Sequence, residues 1–171
     1  IKLSYPHSDV RADGQVIKVN FSDGVKFEIL PAFKSHYGSY VYPDSNIGGN
    51  WKSTNPKAEQ DAMKQKNKDS NGLLVATCRH LRYIRDNFYS SYHLSGIVID
   101  SFVYHAIGNW MYVEEGTGTV STGDYEKSLL SYFNSYNVWG SLPLSAPGSG
   151  DTVSTEDSIK CLEKVLNFIV R

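Results

Sequence analysis

The periodicity of the apolar residues changes once along the chain, between residues 53 and 54, and this change constrains the fold more than any other feature. Before it, apolar and polar side chains alternate, which is typical of β-strands. After it, apolar residues recur every three or four positions, as in amphipathic helices. Strands followed by a run of helices are typical of α+β proteins. The sequence therefore predicts an α+β fold, with the β part and a loop in residues 1–53 and a helical domain in residues 54–171.

The clearest strand signal is a hairpin around an Asp-Gly turn. In "QVIKVNFSDGVKFEILPAF" the alternating apolar residues are Ile17, Val19 and Phe21 before the turn, and Val25, Phe27 and Ile29 after it. Because successive side chains of a strand point to opposite faces, Glu28 is expected to point away from that apolar face. Pro31 is expected to end the pairing, since proline has no N–H to donate to a ladder.

Five later segments predict helices by their spacing of apolar residues: "TNPKAEQDAMKQKN", "NGLLVATCRHLRYIRDNF", "YHLSGIVIDSFVYHAIGNW", "DYEKSLLSYFNSYNVW" and "STEDSIKCLEKVLNFIV". Ser154 and Asp157 resemble a capping box at the start of the last of them. Two stretches, 34–53 and 140–153, are rich in turn-forming residues and predict loops.

The composition carries no strong electrostatic or membrane signal. Lysine and arginine total 17 against 18 acidic residues, a net charge of −1, so binding to nucleic acid through its phosphate backbone is not indicated. No apolar run has membrane-spanning length, so no membrane partner is expected. Cys78 and Cys161 lie in apolar helical patterns, which is typical of buried thiols in a reducing compartment. We therefore expect a cytoplasmic location.

Two interpretations of Glu28 follow from the residues alone. In the first, the second face of the sheet is open to solvent and Glu28 is a solvated acid beside Lys26. In the second, Glu28 faces a cleft and binds a cation. A lone acid holds Mg²⁺ poorly, and phosphoryl-transfer sites typically use two or three carboxylates.

A resemblance bears on this choice. "DGVKFEILPAF", "YVYPDS", "STNPKAE" and "YHLSGIVIDSFV" resemble the later portion of the oligoadenylate-synthetase-like nucleotidyltransferases, and most closely the bacterial cyclic-oligonucleotide synthases of antiphage (CBASS) signalling, the SMODS-type CD-NTases. In that family a strand of pattern Phe-acid-hydrophobic-hydrophobic-Pro-Ala-Phe carries the third active-site acid. "FEILPAF" matches this pattern, so the resemblance places a catalytic, metal-binding acid at Glu28. It also implies a partial polymerase-β-like palm followed by an α-helical domain.

The resemblance implies an activity as well as a fold. Such enzymes use ATP or other nucleoside triphosphates and two Mg²⁺ ions to make a cyclic dinucleotide or trinucleotide. The family's Gly-Ser and Asp-x-Asp motifs, which precede the third acid, do not occur in this sequence in that order. We therefore expect a portion of such an enzyme that is inactive alone, its sheet completed by a missing N-terminal segment or another copy. The alternative is a catalytically silent module that binds nucleotides or proteins.

Three arginines, Arg79, Arg82 and Arg85, recur every third residue of a predicted helix. Such a run forms either a solvated basic face or a phosphate-binding face. The resemblance implies the second function: Arg82 falls nearest to a family lysine that contacts nucleotide phosphates, and Arg79 lies one turn away.

"SSYHL" is expected to begin the next helix. Ser90 or Ser91 is either simply an N-cap or, as the resemblance implies for Ser91, a contact to the triphosphate. Tyr92 is expected to stack on the nucleotide or to hydrogen-bond to it. Within that helix, Asp100 is either a buried hydrogen-bonding acid or the partner of one of the arginines.

The 34–53 loop offers further polar and aromatic side chains. They are either an ordinary surface loop or a base-recognition surface: Tyr40, Tyr42, Asp44, Asn46 and Trp51.

Overall fold

In the computed structural model, the protein forms two compact units, Ile1–Asn55 and Pro56–Arg171. Among the described residues, the long strands belong to the first unit and five helices belong to the second, so the predicted α+β organisation is confirmed. The division falls at 55/56, compared with 53/54 in the sequence prediction. The structure describes residues 2–36, 38–44, 49–114, 116–119 and 121–171.

The first sheet contains the predicted hairpin. Its strands, in the spatial order β1-β2-β3, are β1 (Asp9–Asp13), β2 (Val16–Asn20) and β3 (Lys26–Ile29), and both pairings are antiparallel. Val19 is opposite Phe27, and Lys18 is opposite Glu28. At the turn, the Phe21 N–H donates to the Val25 carbonyl oxygen at 2.8 Å, and Gly24 has the positive φ of 90° that glycine accommodates best. The predicted alternation and turn are confirmed, but the apolar face of β3 is not buried, since Phe27 is 53% and Ile29 37% exposed.

Strand β1 has no clear signal in the sequence. Its "DVRAD" has a single large apolar residue, Val10, because most of the strand is exposed and little burial selects for alternation. It nevertheless pairs with β2 from Asp9 opposite Asn20 to Asp13 opposite Val16. Strand β2 is therefore central, whereas β1 and β3 form the edges of this sheet.

The predicted loop at 34–53 is wrong, because half of its residues lie in the strands of a second antiparallel sheet. The sheet consists of β4 (Phe33–Lys34), β5 (Tyr40–Asp44) and β6 (Asn50–Thr54), with β5 in the centre. Pro43 obscured the strand pattern. However, β4 pairs only with Tyr40 and Val41, so the described part of β5 beyond Val41 has a strand on one side only. Proline is tolerated at such an edge.

The helices of the second unit surround one apolar core. They are α1 (Pro56–Asp69), α2 (Leu73–Phe88), α3 (Gly96–Ala106), α4 (Asp124–Tyr136) and α5 (Ile159–Ile169). Pro56 occupies the first position of α1, where its missing N–H breaks no helical bond. The largest buried side chains include Leu74, Leu81, Phe102, Phe133, Leu162 and Leu166. In the described part of the chain, no helix is long and apolar enough to cross a membrane.

Two helix starts differ from the prediction. Helix α3 begins at Gly96, later than the expected "SSYHL", because Ser95 is its N-cap and accepts a hydrogen bond from the Val98 N–H at 3.4 Å. Helix α5 begins at Ile159, so the proposed capping box at Ser154 is also wrong. A turn precedes α5 instead, in which the Ser158 and Ile159 N–H groups both donate to the Thr155 carbonyl oxygen.

The predicted loop 140–153 contains a short hairpin whose far end touches α1. Strands β7 (Leu144–Ser145) and β8 (Thr152–Val153) pair, and Gly148 lies at the turn between them with φ of 73°. A Cβ added at Gly148 would overlap the Ala58 carbonyl oxygen and lie 2.8 Å from the Ala62 Cβ. Glycine is therefore required here for close packing as well as for backbone conformation.

A pair of glycine substitutions separates these two requirements. Gly150 has nearly the same φ, 74°, but a Cβ there would meet no atom within 4 Å. We expect both Gly148→Ala and Gly150→Ala to lower the free energy of unfolding through backbone strain, by about 1 kcal/mol. Gly148→Ala should cost more, because the hairpin must also move away from α1. Equal midpoints in urea unfolding followed by circular dichroism would contradict the close approach.

Candidate functional site

The predicted site residues belong to both units. Glu28 lies on β3 in the first unit, whereas Arg79, Arg82, Ser91 and Tyr92 lie on α2 or just after it in the second.

Glu28 lies on the exposed face of the first sheet. Its side chain is 64% exposed, and its Oε1 lies 3.7 Å from Nζ of Lys18 on the neighbouring strand. Lys18 also forms an ion pair with Asp13, and a hydrogen bond to Asp13, followed by the weaker attraction of Glu28, raises the pKa of Lys18. Val19 on the opposite face is buried. The carboxylate thus projects from an accessible surface beside a lysine.

These surroundings do not form a complete metal site. The described residues contain no group of three or more His, Cys, Asp or Glu side chains that could hold a metal ion. The ion-pair partner of Glu28 is a cation, and one carboxylate is too few for two Mg²⁺ ions. The residues of this chain that the structure describes therefore do not fit a two-magnesium centre by themselves, and no chemical step follows from them.

The aromatic and polar candidates of the second sheet do not form one cluster. Asp44 is buried and forms an ion pair with Lys52, in which Oδ2 of Asp44 lies 2.5 Å from Nζ of Lys52. This contact raises the pKa of Lys52. Trp51 is 63% exposed, with its ring edge-on to Phe33 at 5.7 Å between centroids. Tyr40 and Tyr42 are half-buried, and Asn46 lies outside the described residues.

Arg82 is held by several acceptors on α3 and α2. Its Nη2 donates to both carboxylate oxygens of Asp100, at 2.7 and 2.8 Å, and to the Gly96 carbonyl oxygen at 3.2 Å. Its Nη1 donates to the Cys78 carbonyl oxygen at 3.3 Å. The hypothesis that Asp100 is the partner of an arginine is confirmed. The positive charge of Arg82 is therefore largely compensated within the unit.

The other two arginines differ from Arg82. Arg79 is exposed and forms no ion pair within the described residues. Arg85 is half-buried: its Nε donates to Asp86 at 2.7 Å, and its Nη1 donates to the Leu94 carbonyl oxygen at 2.9 Å. The run of arginines is therefore neither a uniform solvated face nor a uniform phosphate-binding face.

Ser91 and Tyr92 lie in the turn between α2 and α3, not in the helix itself. The Tyr92 N–H donates to the Tyr89 carbonyl oxygen at 2.9 Å, and both Ser91 and the Tyr92 ring are exposed. Two ammonium groups from α5 lie over that ring, Lys164 at 5.0 Å and Lys160 at 5.8 Å from its centroid. Neither lysine was predicted as a site residue, although their spacing of four residues on a helix indicates a shared face.

Two of the cavities on the helical unit bear on the predicted site residues, one by including such a residue and one by lying apart from them. One, of about 400 Å³, is lined by Asp100, Ile97 and Lys64 among others. The second, of about 410 Å³, is lined by residues such as Trp110, Tyr125 and His80 and contains none of the predicted site residues. Asp100, the partner of Arg82, thus lines one cavity, whereas the lining of the second includes none of the predicted site residues.

Comparison with known proteins supports the motif assignment. Residues 1–67 match the family model of the Second Messenger Oligonucleotide or Dinucleotide Synthetase (SMODS) domain, a range that includes "FEILPAF" and Glu28. A probable cyclic nucleotide synthase of Bacillus cereus (strain VD146) is 29% identical over 134 residues, which cover 74% of this chain and 38% of that protein. These matches support the resemblance to the CD-NTases that the sequence motifs indicate.

Two solved structures share the fold. The Elizabethkingia meningoseptica CdnE cyclic dinucleotide synthase with GTP and Apcpp superposes with a TM-score of 0.72 at 11% identity, over 99% of this chain and 67% of that one. The STING-associated CdnE c-di-GMP synthase from Capnocytophaga granulosa gives a TM-score of 0.66 at 15% identity, over 99% of this chain and 58% of that one. At these identities the likeness concerns the fold. The chain spans 38% of the curated relative's length.

The helical unit keeps its two cysteines unreactive. Cys78 and Cys161 are free and buried, as predicted. Burial, and then the nearby Asp100 carboxylate, raise the pKa of Cys78 to about 12, and burial raises that of Cys161 as well. Neither thiol is therefore a nucleophile near neutral pH.

The importance of the Arg82–Asp100 pair can be tested by unfolding experiments. The substitution Asp100→Asn keeps the size of the side chain but leaves the half-buried guanidinium without its counter-charge. We expect it to lower the free energy of unfolding by about 1–2 kcal/mol, between the values for exposed and buried pairs. Asp86→Asn is the matched control, since the Asp86 side chain is 60% exposed beside Arg85 and its loss should matter less. Equal urea midpoints for the two variants would show that Asp100 does not hold Arg82.

Proposed function

We propose that this chain is part of a nucleotidyltransferase that joins nucleoside triphosphates into a cyclic oligonucleotide second messenger in antiphage defence. The observation that carries the proposal is the match of residues 1–67, including the strand motif "FEILPAF", to the SMODS synthetase domain. Such enzymes attack an activated phosphate with a ribose hydroxyl and release pyrophosphate, a reaction that depends on positioning and charge stabilisation.

Glu28 is proposed as the catalytic acid of the first unit. Its side chain is exposed on a regular strand, so the backbone ladder fixes its direction while the carboxylate remains accessible. It would supply one ligand to a pair of Mg²⁺ ions, and the other carboxylates would have to come from outside the described residues. For that reason we propose that the isolated chain is inactive, and that a further N-terminal segment or another copy completes the sheet and the metal centre.

The second unit is proposed to bind the nucleoside triphosphate. Arg79 and Ser91 are exposed, and Tyr92 offers a ring and a hydroxyl in the turn before α3. Arg82 is proposed to reach the nucleotide with the N–H groups that Asp100 does not occupy, in an orientation set by the ion pair. The Elizabethkingia relative was solved with GTP and Apcpp, which supports nucleoside triphosphates as the substrate class. We propose a cytoplasmic location, in keeping with the buried free thiols.

A second candidate function has its own supporting observation. Glu28 forms its ion pair with Lys18, and the described residues contain no group of three or more side chains that could hold a metal ion. A silent module that binds nucleotides or proteins through its helical unit would show the same arrangement. The two functions differ in whether Glu28 is needed for product formation.

One prediction of the proposed function concerns the chain on its own. Incubated with all four nucleoside triphosphates and Mg²⁺, the purified chain should form no cyclic or linear oligonucleotide, because one acid cannot hold two metal ions near a triphosphate. Products would be separated by chromatography and identified by mass spectrometry. Any oligonucleotide above a protein-free blank would refute the proposed inactivity.

Another prediction of the proposed function concerns Glu28 in a full-length enzyme that contains this chain. Glu28→Gln should abolish product while preserving the fold, because the exposed side chain keeps its size and loses only its charge. Glu28→Asp is the matched control and should retain activity, since it keeps the carboxylate. If Glu28→Gln forms product within about tenfold of the wild type, roughly 1.4 kcal/mol of barrier, Glu28 is not a catalytic residue.

A further inference from the structure

The helical unit carries a pair of lysines whose arrangement calls for an anionic ligand. Lys160 and Lys164 lie one turn apart on α5, and both ammonium groups lie over the Tyr92 ring, at 5.8 and 5.0 Å from its centroid. Lys160 is exposed and Lys164 is half-buried. Two cations therefore converge on one aromatic side chain at the surface.

The packing fixes this convergence. The Ser95 N–H donates to Ser158 Oγ at 3.2 Å, which ties the residue before α5 to the N-cap of α3. Near the other end of α5, the Phe168 ring contacts Phe88 at 4.7 Å and Tyr89 at 6.2 Å between centroids. The Tyr92 turn is thus held between two anchored points of α5, so the lysines are positioned by the fold.

The charges of the two lysines are not compensated. Within the described residues, neither ammonium forms an ion pair with a carboxylate, whereas Arg85 and Arg82 each have one. Like charges four residues apart on a helix repel each other and destabilise it. A ligand with several negative charges would remove this repulsion.

Arg82, the predicted phosphate-binding residue, is already occupied by other partners. Its Nη2 already donates to both oxygens of Asp100 and to the Gly96 carbonyl, so little of its charge remains to neutralise a triphosphate. The uncompensated charge lies instead at Lys160 and Lys164, over the ring of the residue that follows Ser91. A hydroxyl donor and two ammonium groups are suited to phosphate oxygens.

We infer that Lys160 and Lys164, together with Tyr92 and Ser91, form a polyphosphate-binding site on the helical unit. The chemical class of its ligand is a chain of phosphates. That this chain is the triphosphate of a nucleotide substrate rests on the proposed function.

The inference can be tested by calorimetric titration of the 171-residue chain with inorganic tripolyphosphate, GTP and guanosine. The double variant Lys160→Ala/Lys164→Ala should bind tripolyphosphate and GTP at least about tenfold more weakly than the wild type, which is the loss of roughly 1.4 kcal/mol of binding. The double variant Lys160→Arg/Lys164→Arg keeps the charges and should bind within a few-fold of the wild type. Lys68→Ala, an exposed lysine of α1, is the control and should change nothing.

Added salt provides a second readout on the wild-type chain. Affinity for tripolyphosphate should fall as ionic strength rises, because both ligand and site are charged and accessible. A purely structural effect of the alanines would not be restored by arginine and would appear in circular dichroism. The inference is overturned if the wild type binds no tripolyphosphate, or if the alanine variant binds it within twofold of the wild type.

The outcomes separate this site from the proposed function. If tripolyphosphate binding depends on the lysines but GTP binds no more tightly than tripolyphosphate and guanosine not at all, the site stands as a general polyphosphate site. If the lysine-dependent binding is present and a full-length enzyme makes no oligonucleotide, the proposed synthase function fails while the site remains.

Discussion

Burial of helix α3 is the constraint on which the geometry of the helical unit depends. Val98, Ile99, Phe102 and Val103 have no solvent exposure, so α3 can occupy only one position among α2, α4 and α5. The first five residues of α3 nevertheless carry two groups with a different function: the Gly96 carbonyl and the Asp100 carboxylate, which hold Arg82. Apolar burial on one side of the helix thereby determines the orientation of a guanidinium on the other.

The same constraint decides where the uncompensated charge lies. With Arg82 paired by α3, the cations available near the Tyr92 turn are those that α5 brings to it, and α5 is placed by its own buried stripe of Leu162, Val165 and Leu166. The CD-NTase resemblance drew attention to α2, because the family presents its phosphate-binding lysine there. At position 82, where the resemblance implies a lysine, this chain has an arginine, which can bond to a carboxylate and backbone carbonyls together.

The sequence predicts those features whose cause is local. The hairpin around Gly24 and the stripe on α5 follow from alternation, turn chemistry and helical spacing, and both are correct. Strand β1 and the sheet at β5 could not be predicted in the same way, because β1 is mostly exposed and β5 contains Pro43. Their pairing depends on neighbours distant in sequence. The start of α3 was misplaced because several serines precede it and only packing selects Ser95 as the cap.

For the site residues too, the sequence predicts what has a local cause and not what depends on contacts between distant segments. Glu28 could be placed on a face because side chains alternate along a strand: Glu28 is opposite Lys18, whereas its neighbour Phe27 is opposite the buried Val19. The partner of Asp100 was foreseen only as one of three arginines. The lysines of α5 were missed, because their contact with Tyr92 joins two segments more than sixty residues apart in the chain. Motif resemblance transfers roles only to positions that match the motif, and Lys160 and Lys164 match none.

The strengths of these contacts indicate which groups can respond to a ligand. A cation over an exposed aromatic ring contributes about 0.5–1 kcal/mol, so Lys160 and Lys164 can leave Tyr92 at small cost when phosphate oxygens approach. Arg82 does not exchange its partner for a ligand as easily. Moving its guanidinium away would leave the half-buried Asp100 without a partner, which costs more free energy than the loss of an exposed pair. The helical unit therefore combines a fixed guanidinium with two movable ammonium groups. Phosphate oxygens that approach Tyr92 would therefore meet the two ammonium groups, whereas the guanidinium remains bound to Asp100.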